Sequence, residues 1–187
     1  RVRGPGAFAA LQRLAAANID KPVGAAIYTQ LLNPRGGIEA DLTICRLGEN
    51  DFYIVTGSAF GVHDLDWIRS NSPNDGSVII DDVTPSRSVI NICGPKARAV
   101  LEKCTDDDVS NEAFPFAQCR EIGVGAAQVL AIRISYVGEL GWELHVPSDF
   151  ACHVYETLWK AGEEFGIANV GYRAIDSLRM EKGYLYW

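Results

Sequence analysis

The chain has 187 residues, 48% of them hydrophobic and 22% charged, with a formal net charge of −7. That length supports one domain or two small ones with a real buried core, and the composition excludes a disordered or low-complexity chain. The acidic balance argues against nucleic acid, which selects a basic face, and the absence of an apolar run of roughly 20 residues or a charged-then-apolar leader argues against a membrane.

The first element is a short strand, Val2-Arg3, followed by Gly4-Pro5 and an Ala/Leu-rich helix through Leu11. The pattern returns as Ile92-Cys93, Gly94-Pro95 and a helix through Leu101. Glycine allows a sharp strand-to-helix turn, and proline at the first helical position loses no hydrogen bond. Two such units predict a duplicated α+β module, as two intertwined subdomains with the second starting near residue 88. Because Arg1 stands inside the first strand, we expect a piece of a longer chain.

Between the two copies, strands are expected at 24–32, 38–47 and 51–56, the second with Ile38, Ala40, Leu42 and Ile44 on one face. A helix is expected at 59–70. The second half repeats the plan: strands at 77–83 and 88–93, a helix from Pro95 to Lys103, and strands at 118–123, 128–136 and 142–146. Ser148-Asp149 are expected to cap a helix running to Glu164, with a last helix at 174–181. Hairpin-joined strands with helices between groups predict α+β, with mixed or antiparallel sheets and helices packed on them, rather than a doubly wound parallel sheet.

The five cysteines are odd in number, widely spaced and without a C-x-x-C pair, so we expect buried reduced thiols. His63, His145 and His153 do not cluster at ligand spacing, so no metal site is expected. No nucleophile elbow appears around Ser58, and Gly123-Val124-Gly125 opens no helix, which argues against a flavin or nicotinamide site in this chain.

Two segments carry polar groups that packing does not demand. Asn33-Pro34-Arg35-Gly36-Gly37 is a tight turn, and beyond it Asp41 shares a strand face with Glu39 and Thr43. On a solvated face Asp41 is inert; facing a cleft it holds a proton or pairs with an amine. Tyr136-Val137-Gly138-Glu139-Leu140-Gly141-Trp142-Glu143 reads either as a hairpin with exposed acids or as a ring and a carboxylate fit for a planar amino-pyrimidinone.

These residues resemble a known family. Tyr28-Thr29-Gln30-Leu31-Leu32-Asn33, Arg35-Gly36-Gly37 and Ala40-Asp41-Leu42-Thr43 look like the folate domain of the glycine-cleavage T-protein (aminomethyltransferase). Ser110 to Phe116, Tyr136 to Glu143 and Gly171 to Leu178 narrow the resemblance to the C-terminal half of flavin-dependent sarcosine and dimethylglycine dehydrogenases or oxidases. It runs along essentially the whole chain. It implies the aminomethyltransferase folate-binding fold, tetrahydrofolate as cofactor, and FAD only in a domain preceding this one. The expected partners are a small N-methyl amine, folate, and the flavin and C-terminal domains of the same chain. The implied activity is capture of a one-carbon unit as 5,10-methylenetetrahydrofolate, in the cytoplasm of a bacterium or the mitochondrial matrix of a eukaryote.

By motif position, Asp41 would be the catalytic acid beside the folate nitrogens, and Glu143 the carboxylate gripping the pterin. Tyr28 and Tyr136 would line the pocket, with Arg173 as a further ligand contact. Ala40 stands where glycine-cleavage enzymes carry a first aspartate, Ile175 where they carry an arginine, and Thr56-Gly57 where they carry an asparagine. These departures favour the flavoprotein branch over a stand-alone aminomethyltransferase acting on a lipoyl carrier. A non-catalytic regulatory relative is the third reading.

Overall fold

In the computed structural model, which describes residues 1–185 and 187, the chain forms two units, Arg1–Val83 and Thr84–Trp187. The first runs β1 (Val2–Arg3), α1 (Ala7–Leu14), β2 (Ala26–Leu32), β3 (Ile38–Gly48), β4 (Asp51–Thr56), α2 (Gly61–Ser70) and β5 (Ile79–Ile80). Its strands form an antiparallel sheet in the order β2-β3-β4-β1-β5. The second runs β6 (Arg87–Cys93), α3 (Ala97–Glu102), β7 (Cys119–Val124), β8 (Ala127–Ile132), β9 (Gly141–Pro147), α4 (Ala151–Gly162) and α5 (Tyr172–Glu181). Its antiparallel order is β6-β9-β8-β7.

The two sheets repeat one construction. β1 pairs with β4, β4 with β3 and β3 with β2, just as β6 pairs with β9, β9 with β8 and β8 with β7. The register agrees, since Val2 lies opposite Phe52 and Ile92 opposite Trp142. So do the turns: the Gly4 N–H donates to Asn50 O at 3.0 Å and the Gly94 N–H to Leu140 O at 2.8 Å. Gly4 and Gly94 have φ of +113° and +118°, a region that side chains rarely enter.

Neither proline opens its helix. Ala7 N–H bonds Gly4 O at 2.9 Å and Ala97 N–H bonds Gly94 O at 3.0 Å, closing a β-turn first. Pro5 and Pro95 take the second position of that turn, where their fixed φ fits, and the helices begin at Ala7 and Ala97.

One face of each sheet is covered by helices. In the first unit Ala40, Leu42 and Ile44 pack with Phe52 against Leu11 and Ile68. In the second, Val129, Trp142 and Leu144 pack against Leu101, Val154 and Leu158. Full burial of such side chains contributes about 1.5–3 kcal/mol each.

Several boundaries differ from the expectation. Ile38 is exposed, because the β2–β3 register shifts between Leu31 and Leu32. The strand expected at 77–83 shrinks to Ile79–Ile80, since its partner β1 offers only two residues. β8 stops at Ile132, and the Ile134 N–H then turns back to Ile132 O at 3.0 Å. Ser148 does not cap α4: its hydroxyl donates to Pro85 O at 3.1 Å, and Phe150 holds the N-cap. Cys45, Cys104 and Cys119 are buried as expected, but Cys93 and Cys152 are exposed. No helix among the described residues is long and apolar enough to cross a membrane.

Candidate functional site

Alternation along β9 sends Trp142, Leu144 and Val146 into the core and turns Glu143 and His145 to the other face. Glu143 stands between Asn91 of β6 and Ile132 of β8. Its side chain retains 21% exposure and lies on the wall of a cavity of about 320 Å³ in the second unit. Tyr136 and Asn91 share that wall, and α4 contributes Tyr155 and Trp159. Those two rings, one helical turn apart, stack with centroids 6.0 Å apart. A carboxylate and a Tyr136 ring lining one cavity suit a planar heterocycle whose edge donates paired N–H groups.

The structure therefore brings Tyr136 and Glu143 to one cavity. Tyr136 donates its hydroxyl to Leu185 O at 3.2 Å, and the Arg179 guanidinium lies 5.8 Å from its ring centroid. Arg173 is exposed on α5 and does not line the cavity; Arg179 is the arginine of that helix that meets a site residue. Cys93 also lines the cavity, and although the residue is exposed, partial desolvation of its thiol, reinforced by the Glu139 charge, raises its pKa.

In the first unit, Asp41 is half-buried on β3 opposite Gln30, whose amide donates to Asp41 Oδ1 at 3.2 Å. Tyr28 projects from the same face of β2, opposite Thr43, and is exposed. Asn33 organises the turn, its Oδ1 accepting the Arg35 and Gly37 N–H groups at 2.9 and 3.0 Å. Its Nδ2 donates to Glu39 at 2.7 Å.

At the head of α2, His63 lies between two carboxylates. Its Nδ1 is 3.0 Å from Asp64 Oδ1 and its Nε2 3.7 Å from Glu39 Oε2. The Asp64 hydrogen bond leads in raising the His63 pKa, with charges on Asp64, Glu39 and Asp66 adding to it. Asp64 is buried and also accepts the Thr56 hydroxyl. Among the described residues no group of three or more His, Cys, Asp or Glu side chains is placed to hold a metal ion.

Asn91, Tyr155 and Trp159 were not singled out from the sequence. The Tyr155/Trp159 spacing of four residues on an amphipathic helix was the available signal, but such a pair reads equally as core. Asn91 carried none, because only the β6–β9 register places it beside Glu143.

A family model described as the GCVT N-terminal domain matches residues 1–187. Mitochondrial sarcosine dehydrogenase of Homo sapiens is 40% identical over 188 residues, covering 93% of this chain and 20% of that protein. Mitochondrial dimethylglycine dehydrogenase of Mus musculus is 39% identical over 172 residues, covering 91% and 20%. The chain thus spans about a fifth of the length of these curated relatives. The crystal structure of glycine cleavage system aminomethyltransferase T from Bartonella henselae superposes with a TM-score of 0.81 at 29% identity, over 99% of this chain and 48% of that one. With its two antiparallel sheets and the helices packed on them, the chain belongs to the GCVT N-terminal domain family.

Proposed function

We propose that this chain binds tetrahydrofolate and serves one-carbon transfer within a flavin-dependent N-methyl amine dehydrogenase or oxidase of the sarcosine or dimethylglycine type. The observation that carries the reading is Glu143 on the wall of an aromatic-lined cavity. A carboxylate accepting two N–H bonds from an amino-pyrimidinone edge is a charge-assisted pair with fixed geometry, and aromatic residues lining the same cavity offer flat apolar contact. The similarity to two amine dehydrogenases supports the flavoprotein branch.

In this reading the two-electron oxidation of the N-methyl amine to an iminium belongs to a flavin domain outside this chain. When bound, tetrahydrofolate supplies the nitrogens that take the one-carbon unit as 5,10-methylenetetrahydrofolate, releasing the demethylated amine. Glu143 grips the pterin edge, and Tyr136 supplies a ring contact. Arg173 is proposed as a contact for the anionic glutamate tail. Asp41 manages protonation of the reacting nitrogens and offsets the iminium charge.

Calorimetric titration of 5-formyltetrahydrofolate into the chain and its Glu143→Gln and Asp41→Asn variants tests this. Losing a charged hydrogen-bond acceptor costs roughly 1.5–3 kcal/mol, about 10- to 100-fold in affinity. Glu143→Gln is expected to lose that much and Asp41→Asn little. An unmodified chain with no saturable binding overturns the reading.

A further inference from the structure

Glu143 has a neighbour that the proposed grip does not use. Residues two apart on a strand share a face, so His145 stands beside it, with Nε2 3.6 Å from Glu143 Oε2. The two differ sharply in surroundings: His145 is 2% exposed, while the Glu143 side chain keeps 21%. Across the sheet from His145 lie Leu130 of β8 and Val89 of β6, both apolar. Arg87 of β6 reaches the His145 carbonyl oxygen at 3.4 Å and ties down the backbone there.

A glutamate side chain turns freely about several torsions unless something holds it, and ordering it costs conformational entropy. A ligand that donates two parallel N–H bonds needs both carboxylate oxygens in one plane with it. A buried imidazole packed against one oxygen removes part of that freedom before the ligand arrives. At 3.6 Å the contact is longer than a hydrogen bond, so it leaves the acceptor sites of Oε2 open to a ligand N–H.

We infer that His145 is a positioning residue: it holds Glu143 Oε2 so that the carboxylate meets the cavity in one orientation, selecting a planar ligand edge with paired N–H donors. The identity of that ligand rests on the folate reading; the contact between the two side chains does not.

Two measurements separate these. In the ligand-free chain, the imidazole ¹⁵N resonances of His145 are expected to move in Glu143→Gln; unmoved resonances overturn the contact. Then 5-formyltetrahydrofolate and its 2-desamino counterpart are titrated into the unmodified chain, His145→Phe and His145→Gln. The unmodified chain is expected to prefer the 2-amino ligand, and His145→Phe to lose about tenfold of that preference with little change for the 2-desamino ligand. His145→Gln, which keeps a polar group of similar reach beside Glu143, is expected to restore most of it, and decides the matter if His145→Phe fails to fold. Equal weakening toward both ligands marks a structural residue and overturns the inference. An unmodified chain that binds neither ligand sinks the folate reading and leaves the ¹⁵N result to decide the His145 contact.

Discussion

Phe52 and Trp142 hold one position in two copies of the same sheet: Phe52 faces Val2 across β4 and β1, and Trp142 faces Ile92 across β9 and β6. Both are fully buried. One step along each strand, Tyr53 stands opposite Cys45, whereas Glu143 stands opposite Ile132. The core of the module is thus repeated with apolar residues in both copies, while the opposite face differs. Only the second copy puts a carboxylate at this position.

Each of the two buried rings anchors its own core, so truncating either is expected to be costly. Phe52→Ala and Trp142→Ala should each destabilise by about 3–5 kcal/mol, read from denaturant midpoints followed by circular dichroism. Trp142 also meets Phe114 edge-on at 6.4 Å, and the Arg98 and Arg133 guanidinium groups lie 5.7 and 5.6 Å from its ring. Its loss should therefore be the larger; a smaller loss than for Phe52 contradicts this packing.

The two Gly-Pro turns share a backbone but not a neighbourhood. A side chain at φ near +115° costs about 1–3 kcal/mol in either turn. At Gly4 an added Cβ would also run into the Ser77 carbonyl oxygen, whereas nothing lies within 4 Å of one at Gly94. Gly4→Ala is expected to lower the melting temperature distinctly more than Gly94→Ala. Equal losses would mean that Ser77 moves aside freely.

Those turns also show how far the sequence carries. The Gly-Pro echo, the β3 alternation from Ala40 onward and the 51–56 strand are local patterns, and the structure keeps all three. Pairing is not local: nothing in residues 77–83 says that β1 has only two residues to offer them. Ile134-Ser135-Tyr136 continues an apolar rhythm, yet the chain leaves the sheet after Arg133 pairs with Gln118. The site divides the same way. Tyr136 and Glu143 sit in one legible segment, while Asn91 and the Tyr155/Trp159 pair reach the cavity through sheet register and helix packing.

His63 is expected to make stability depend on pH. Its partners raise its folded pKa above the ordinary 6.5, so the folded chain favours the protonated ring. The stability this contributes is fully present below the unfolded value and is lost as pH rises through the raised folded one. Urea midpoints should therefore fall from about pH 6 to pH 8 by more in the unmodified chain than in His63→Gln. The side chain is 55% exposed, so high salt should shrink the difference. Identical pH slopes in the two chains would show that His63 contributes nothing.

Cys93 reports on the cavity directly. Alkylation proceeds through the thiolate, and partial desolvation of the thiol together with the Glu139 charge holds the Cys93 pKa above the ordinary 9.0. Iodoacetamide should therefore react slowly with it at neutral pH, and faster as pH climbs or in Glu139→Gln, where the opposing charge is gone. Cys152, exposed like Cys93 but on α4 away from the cavity wall, serves as the internal control. If 5-formyltetrahydrofolate occupies the cavity that Glu143 and Tyr136 line, it covers Cys93 and slows its alkylation, while Cys152 reacts at an unchanged rate. Peptide mass spectrometry over a time course separates the two thiols. Equal protection of both would signal a general tightening of the fold, and no protection of Cys93 at a saturating ligand concentration would place the ligand somewhere other than this cavity.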